Sequence, residues 1–319
     1  MRAMVFGAGL GTRLRPLTEL LPKPVVPFFD TPLSCWTLEH LAASGASSAV
    51  VNTHYDADKT EREIGAYVAR SMAGRLRVSF SREATLLGTG GGLRRAWELE
   101  EREHGAMSDD EVLVAINGDI LFAPDLSALV AMHRARRAVA TMVLRRTEHP
   151  FALGAIEIAP DGRVVAMLAK DRVTEQGTPA MFTGVHVLSR SALARLPHEG
   201  CVVRQGYRRW QEEGLAVFGA LSDAPWLDLG TPRVYRDAHL EVLRGARRLP
   251  GTKAGPDWIA ASAVVGSGAT IVESVVGAAA TVAAGVRLER SVVWPGARVE
   301  TDLADAIVLP DGRIVSVAE

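Results

Sequence analysis

Cysteine, lysine, net charge and long apolar runs are all scarce in this chain, and each scarcity removes a class of function. Only Cys35 and Cys201 occur in 319 residues, too few for a disulfide framework or a structural zinc site, which points to a reducing cytoplasm. Thirty-six basic residues face 37 acidic ones, for a formal net charge of -1. No global field therefore gathers nucleic acid or an anionic membrane, and a phosphate ligand has to be held locally. Clusters of basic and aromatic residues of the kind that bind nucleic acid are missing as well. No stretch approaches the ~18 apolar residues of a membrane span, and Met1 to Phe6 runs straight into glycines without the apolar segment of a signal peptide. A soluble protein with no membrane partner is expected. Lysine occurs only at Lys23, Lys59, Lys170 and Lys253, the other basic residues being arginine. A compact ammonium kept at so few places directs attention to Lys23 and Lys170, which fall in the motifs below.

What is present has the rhythm of alternating strands and helices, and the length suits a large α/β domain with a smaller appendage. Short apolar runs at Ala3–Phe6, Ala49–Asn52, Leu76–Phe80, Val112–Ile116, Val139–Leu144, Ala155–Ile158, Val164–Leu168 and Phe182–Leu188 read as strands. Amphipathic stretches at Ser34–Ala43, Asp58–Ser71, Gly91–Glu103 and Asp125–Arg136 read as helices. The pattern predicts a Rossmann-like, mainly parallel sheet over residues 1–248, a Pro/Gly-rich linker at 249–256, and a different texture over 257–319. In that tail Ile259, Val265 and Ile271 are six apart, and after a one-residue slip so are Val276, Val282, Leu288 and Trp294. Aliphatic residues on a six-residue beat among small residues mark a parallel β-helix. Ser274-Val275-Val276-Gly277 and Ser291-Val292-Val293-Trp294 repeat one phrase a turn apart.

The densest local signal is Gly7-Ala8-Gly9-Leu10-Gly11-Thr12-Arg13, followed by Leu17-Thr18 and Pro22-Lys23-Pro24. It follows the first strand, at the carboxyl edge where open α/β sheets take ligands. Glycines there let backbone N–H groups approach phosphate oxygens, while Arg13 and Lys23 supply positive charge. Two common Gly-rich loops are excluded. A dinucleotide fingerprint needs glycine where Thr12 stands, and a Walker loop needs Gly-Lys-Ser/Thr. Asn117-Gly118-Asp119 ends another apolar strand and puts a carboxylate at the same edge.

Gly9-x-Gly11-Thr12-Arg13-x3-Leu17-Thr18 with Pro22-Lys23-Pro24 resembles the signature of the sugar-nucleotide pyrophosphorylase family. The likeness continues through Asn52-Thr53-His54-Tyr55, Glu83 to Leu93, Asn117-Gly118-Asp119, Phe182-Thr183-Gly184 and Trp226-Leu227-Asp228-Leu229-Gly230-Thr231-Pro232. The tail resembles the left-handed β-helix carried by mannose-1-phosphate guanylyltransferases of that family. The resemblance implies an enzyme that joins a nucleoside triphosphate to a sugar-1-phosphate and releases pyrophosphate. It assigns catalysis to Arg13 and Lys23, and nucleotide binding to Gly7, Ala8, Gly9, Gly11, Thr12, Glu83, Gly88 and Thr89. Gly154, Lys170, Thr183 and Gly184, with Leu153, match the sugar-phosphate side, and Asp119 and Asp228 would share a magnesium ion. Ala169-Lys170-Asp171 departs from the family's Glu-Lys-Pro and Phe182-Thr183-Gly184 from its Asn-x-Gly, which weakens the sugar side of the match.

A carboxylate at Glu83 could accept from guanine's N1–H and exocyclic amine and leans toward GTP, and the resemblance of the tail to mannose-1-phosphate guanylyltransferases implies mannose 1-phosphate as the sugar substrate. The Thr89-Gly90-Gly91-Gly92 string also resembles uridylyltransferases, and thymidylyl transfer stays open. The β-helix is expected to serve packing or oligomerisation. Acyl transfer by it would need a general base, and all eight histidines lie at or before His239. A non-catalytic regulatory subunit is the remaining alternative, against which the full set of Arg13, Lys23, Asp119 and Asp228 argues. His54 and His186 are expected to pack, since this chemistry needs no imidazole base.

Overall fold

The strand Arg2–Phe6 lies near the centre of a nine-stranded sheet, parallel to Ser48–Thr53 on one side and to Val112–Asn117 on the other. The computed structural model describes residues 1–319 except Leu153, Pro250, Gly251, Lys253 and Glu319. Leu153 and three residues of the segment 249–256 named from the sequence thus lie outside the described residues.

Parallel pairing requires crossovers, and the helices Leu33–Ala43, Ala57–Ser71 and Gly88–His104 provide them between Arg2–Phe6, Ser48–Thr53, Arg77–Arg82 and Val112–Asn117. Beyond Val112–Asn117 the sheet becomes mixed, with Val217–Leu221 still parallel to Ala140–Arg145. The long strand Thr178–Ser189 runs against Val112–Asn117, Ala140–Arg145 and Ala155–Ile158. Only about half of the sheet is therefore the parallel structure that the alternating pattern suggests. Along the central strands, residues alternate between two cores. Met4, Val50, Leu113 and Ala115 face one side, whereas Ala3, Val5, Val51, Val114 and Ile116 face the other. Covering both faces explains why these strands are apolar without a polar alternation.

A small ribbon stands off the main sheet. Trp226–Asp228 pairs antiparallel with Ile120–Phe122, placing Asp228 opposite Ile120. The ribbon leads into Pro232–Leu243, a helix that the apolar periodicity did not reveal. Its N-terminus was nevertheless written in the chain: the Thr231 side chain accepts from the Val234 N–H, and Pro232 occupies the first turn, where a missing N–H leaves no bond unmade.

From Trp258 onward the chain coils through three short sheets in a β-helix, parallel except where Ile314–Ser316 closes the end against Ala306–Val308. Trp258 pairs with Val275 and Val275 with Val292, coils of seventeen residues, and Val292 pairs with Ile307, a coil of fifteen. Val276, Val282, Leu288 and Trp294, the residues on the six-residue beat, are buried inside it. Ile259, in the same phase, is 40% exposed because its coil has a neighbour on one side only. The slip in the beat falls at a tight corner where Glu273, Arg290 and Asp305 all take positive φ. The repeated serines hold this corner: Ser274 Oγ accepts from the Ser291 N–H at 3.0 Å, and Ser291 Oγ accepts from the Ala306 N–H at 3.1 Å. The corner row also meets the helix Pro232–Leu243 and the residue after it. Arg244 forms a two-pronged pair with Glu273, while buried Arg236 bonds Asp305 and donates to the Val317 carbonyl. One hydrophobic cluster runs without a break from Leu14, Phe28 and Tyr235 into Val276 and Trp294.

Glu100, on the inner face of the helix Gly88–His104, is fully buried and accepts from Ser48 Oγ at 2.7 Å. Its other oxygen has no hydrogen-bond partner among the described residues. Burial raises its carboxyl above the usual carboxylate range, against the smaller opposing effects of the Ser48 bond and the His104 and Arg2 charges. A folded-state pKa above the unfolded one stabilises the fold at low pH, and the contribution is lost as pH rises through the folded value. The substitution Glu100→Gln keeps an acceptor for Ser48 and removes the charge. The difference in melting temperature, variant minus wild type, is expected to become more positive between pH 4 and pH 8, by about 2–4 °C for each kcal/mol of charge burial relieved. Thermal melts at the two pH values check this; a difference that shrinks with rising pH refutes it.

Candidate active site

Phe6 ends the central strand in register with Asn52 on one neighbour and Asn117 on the other. The glycine loop begins at that point, with both asparagine-bearing edges beside it. Gly7 has to be glycine because a Cβ would stand 2.7 Å from the Asn52 carbonyl oxygen. Gly11 takes φ 62°, and its carbonyl accepts from the Thr18 hydroxyl at 2.9 Å, so the turn is tied to the following segment. The loop encloses a cavity of about 450 Å³ at the carboxyl edge of the parallel strands.

That cavity is lined by Gly7, Ala8, Gly9, Gly11, Thr12, Arg13 and Lys23 from the loop side, by Glu83, Gly88 and Thr89 from the segment before the helix Gly88–His104 and its first turn, and by Asp119. Residues from separate stretches of sequence thus meet around one space. Asp228 adjoins it through the charges. Lys23 Nζ lies 2.8 Å from Asp119 Oδ2 and 3.6 Å from Asp228 Oδ1, and Arg13 reaches Asp228 Oδ2 at 3.4 Å. The Lys23 side chain is only 7% exposed, whereas Arg13, which also lines the cavity, is 68% exposed. One buried ammonium therefore bridges two carboxylates, and a solvated guanidinium at the rim supplies the second positive charge.

Several of these residues are engaged within the scaffold. The Gly7 N–H donates to Asn52 Oδ1 at 2.8 Å, so this amide is committed to the scaffold instead of facing a phosphate. Glu83 is 3% exposed, and both its oxygens are engaged, Oε1 by Asn52 Nδ2 at 2.8 Å and Oε2 by the Leu87 N–H at 3.0 Å. On the sugar side none of Gly154, Lys170, Thr183 and Gly184 lines the cavity. Thr183 is turned inward: its hydroxyl donates to the Val143 carbonyl at 2.7 Å, and its own carbonyl accepts from Trp226 Nε1 at 3.0 Å. In this arrangement the Thr183 hydroxyl is engaged within the sheet. Gly184 packs on Asn117, which does line the cavity, and Gly154, at φ 87°, packs on Leu168. Lys170 is exposed just past the strand Val164–Ala169.

The histidines behave as packing groups. His186 is buried against Phe6, Phe182 and Tyr207, shares one hydrogen bond at Nδ1 with the Tyr207 hydroxyl, and is pushed down to about 3 by burial. It is neutral at any ordinary pH. His54 Nδ1 bonds the Glu83 carbonyl at 2.9 Å.

Asn52, Asn117 and Gly230 also line the cavity and had no role assigned from the sequence. The signal available for the two asparagines was a polar residue closing an apolar strand, where the carboxyl edge faces a ligand. A second omission is the segment around Gly200, whose N–H donates to the Leu87 carbonyl and whose carbonyl accepts from the Gly90 N–H, both at 2.7 Å. It clamps the Leu87–Gly90 turn from outside, and nothing in the sequence of that segment announced it.

Among the described residues no helix is long and apolar enough to cross a membrane. Comparison with known proteins gives a consistent picture. Residues 2–245 match the family model described as nucleotidyl transferase. A mannose-1-phosphate guanylyltransferase of Mycobacterium tuberculosis is 32% identical over 275 residues, covering 85% of this chain and 73% of that protein. A UTP–glucose-1-phosphate uridylyltransferase of Synechocystis is 26% identical over 76% of this chain and 63% of its own length. For a mannose-1-phosphate guanyltransferase of Schizosaccharomyces pombe the figures are 27%, 74% and 62%. The chain thus spans somewhat under two thirds of the last two relatives. In fold, the crystal structure of HddC from Yersinia pseudotuberculosis superposes with a TM-score of 0.59 at 21% identity, over 74% of this chain and 97% of that one. With the family model spanning the whole sheet and the cavity at its edge, the chain belongs to the nucleotidyl transferase family.

Proposed function

We propose that the cavity binds a nucleoside triphosphate and a sugar-1-phosphate and that the enzyme transfers the nucleoside monophosphate to the sugar phosphate, with GTP and mannose 1-phosphate as the substrates. The observation that carries this reading is the convergence of Asp119, Asp228, Lys23 and Arg13 beside a glycine loop at the sheet edge. The choice of GTP and mannose 1-phosphate is supported by the relative at 32% identity. A uridylyl transfer to glucose 1-phosphate is the second reading, favoured by the Synechocystis relative.

Asp119 and Asp228 would hold a magnesium ion. The fit is supported by their donor set, hard carboxylate oxygens that already share one positive charge on Lys23 and are each about one-third exposed, at 37% and 32%. When bound, the ion supplies charge neutralisation and orientation for the phosphates. Lys23 Nζ, on its flexible stem, can turn from the carboxylates to phosphate oxygens. In the reaction a phosphate oxygen of the sugar-1-phosphate attacks the α-phosphorus in line. The bond from the α-phosphorus to the bridging oxygen breaks, and pyrophosphate departs with that electron pair. Arg13 meets the charge that builds on the leaving group, and the backbone of the glycine loop orients the triphosphate. No side chain forms a covalent intermediate.

Pyrophosphate release measured for GTP, UTP, dTTP and ATP against mannose, glucose, N-acetylglucosamine and N-acetylmuramate 1-phosphates, with magnesium and with EDTA, tests the assignment. Turnover is expected with GTP and mannose 1-phosphate and abolished by EDTA; turnover confined to UTP pairs selects the second reading, and release that EDTA leaves intact removes the metal role. For the residues, Arg13→Ala and Asp119→Ala should each lower kcat by about 10²–10³-fold while circular dichroism and melting stay close to wild type. Either variant turning over at the wild-type rate defeats its assigned role.

A further inference from the structure

The glycine loop that would hold the triphosphate and the turn that would face its base are far apart in sequence, yet a continuous line of buried polar groups joins them. The Gly7 N–H donates to Asn52 Oδ1, Asn52 Nδ2 donates to Glu83 Oε1, and Glu83 Oε2 accepts from the Leu87 N–H, at 2.8, 2.8 and 3.0 Å. Asn52 and Glu83 are each 3% exposed. The orientation of the Asn52 amide is forced, because one end meets a donor and the other a carboxylate. Glu83 is also held at its backbone: its N–H donates to the Thr53 carbonyl at 2.8 Å, and its carbonyl meets His54 Nδ1 at 2.9 Å.

The surroundings are shaped around this pair. A Cβ at Gly92 would stand 2.8 Å from Glu83 Oε1 and 2.9 Å from Asn52 Nδ2, so the helix Gly88–His104 comes this close only because glycine occupies that position. The carboxylate thus gives its acceptor capacity first to the scaffold. A side chain whose main task was to read a base edge would keep its oxygens toward the ligand.

We propose that Asn52 and Glu83 act as one positioning unit, a polar brace that fixes the distance and orientation of the Leu87–Thr89 turn relative to the glycine loop. In this view Glu83 supports nucleotide binding through its geometry, and its negative charge is not what selects the base. The inference rests on the reading of the cavity as the triphosphate site.

Its distinctive consequence is a reciprocal rescue. In Glu83→Gln one end of the new amide must present a donor to a donor, either Asn52 Nδ2 or the Leu87 N–H. In Asn52→Asp two carboxylates face each other across a hydrogen-bond contact. The double variant Asn52→Asp/Glu83→Gln restores every match. The new carboxylate at position 52 still accepts from the Gly7 N–H, and its second oxygen accepts from the new amide at position 83. The carbonyl of that amide in turn accepts from the Leu87 N–H. The net charge of the pair is unchanged, but the charge has moved from position 83 to position 52.

Dissociation constants for GTP and UTP by calorimetry, KM and kcat in the pyrophosphate-release assay, and melting temperatures would be measured for the wild type, both single variants and the double variant. Each single change is expected to weaken nucleotide binding about tenfold, the scale of one lost hydrogen bond to a charged group, and to raise KM more than it lowers kcat. The double variant should return to within about threefold of wild type in binding, with the ratio of GTP to UTP affinity preserved. A double variant that recovers its melting temperature while losing discrimination between GTP and UTP overturns the proposal, because the carboxylate at position 83 would then be reading the base. Unchanged nucleotide affinity in Glu83→Gln overturns it too. If the wild type binds neither nucleotide, the reading of the cavity itself falls, a result separate from a failed rescue in a protein that binds.

Discussion

The short antiparallel pairing of Trp226–Asp228 with Ile120–Phe122 is the constraint on which the arrangement of charge beside the cavity depends. It sets Asp228 against the residue that follows Asp119, so two carboxylates more than a hundred positions apart in the chain share the Lys23 ammonium. Carboxylates brought together without a cation would repel and resist folding, and the buried lysine removes that conflict in the protein as it stands. The same pair of hard oxygen donors would suit a divalent ion, whose charge would meet both carboxylates at once.

Around this pair the scaffold is organised by close approach. The central strand ends between Asn52 and Asn117, and the loop that follows can turn there because Gly7 carries no side chain. The turn at Leu87 is held from within by Glu83 and from without by the segment at Gly200. Preorganisation of this kind lets a site bind a polyanion with few cations of its own, since backbone groups and fixed dipoles share the work. It also reconciles the neutral composition of the chain with a phosphate-binding role: the charge is local and held in place.

The β-helix is joined to the sheet domain by polar and apolar contacts together. Its tight corners, at Glu273, Arg290 and Asp305, turn toward the helix Pro232–Leu243 and its end, where Arg236 and Arg244 meet them. The cluster that includes Tyr235, Trp294 and Val276 bridges the same two parts of the chain. The helix that carries this junction is capped by Thr231, three residues after Asp228, so the same short stretch serves both the site and the docking of the coils.

The main elements and the glycine loop were legible in the amino-acid order because their signals are local. Apolar runs at Ala3–Phe6 and Val112–Ile116, the beat of Val276, Val282 and Leu288, and the Gly-rich string up to Arg13 each depend on neighbours in sequence. Direction of pairing did not show: an apolar run such as Phe182–Leu188 reads alike in a parallel or an antiparallel sheet. Nor could sequence tell where a polar side chain directs its hydrogen bonds. The Thr183 hydroxyl is tied to the Val143 carbonyl, and the Glu83 carboxylate to Asn52 and Leu87, partners that no local pattern announces. By itself, the sequence determined the alternation of elements, the coil repeat and the kinds of groups available for phosphate chemistry. Which of those groups meet, and which are consumed in holding the fold, was decided only by tertiary structure, because hydrogen bonds and charge pairs act over a few ångströms of space whatever the separation along the chain.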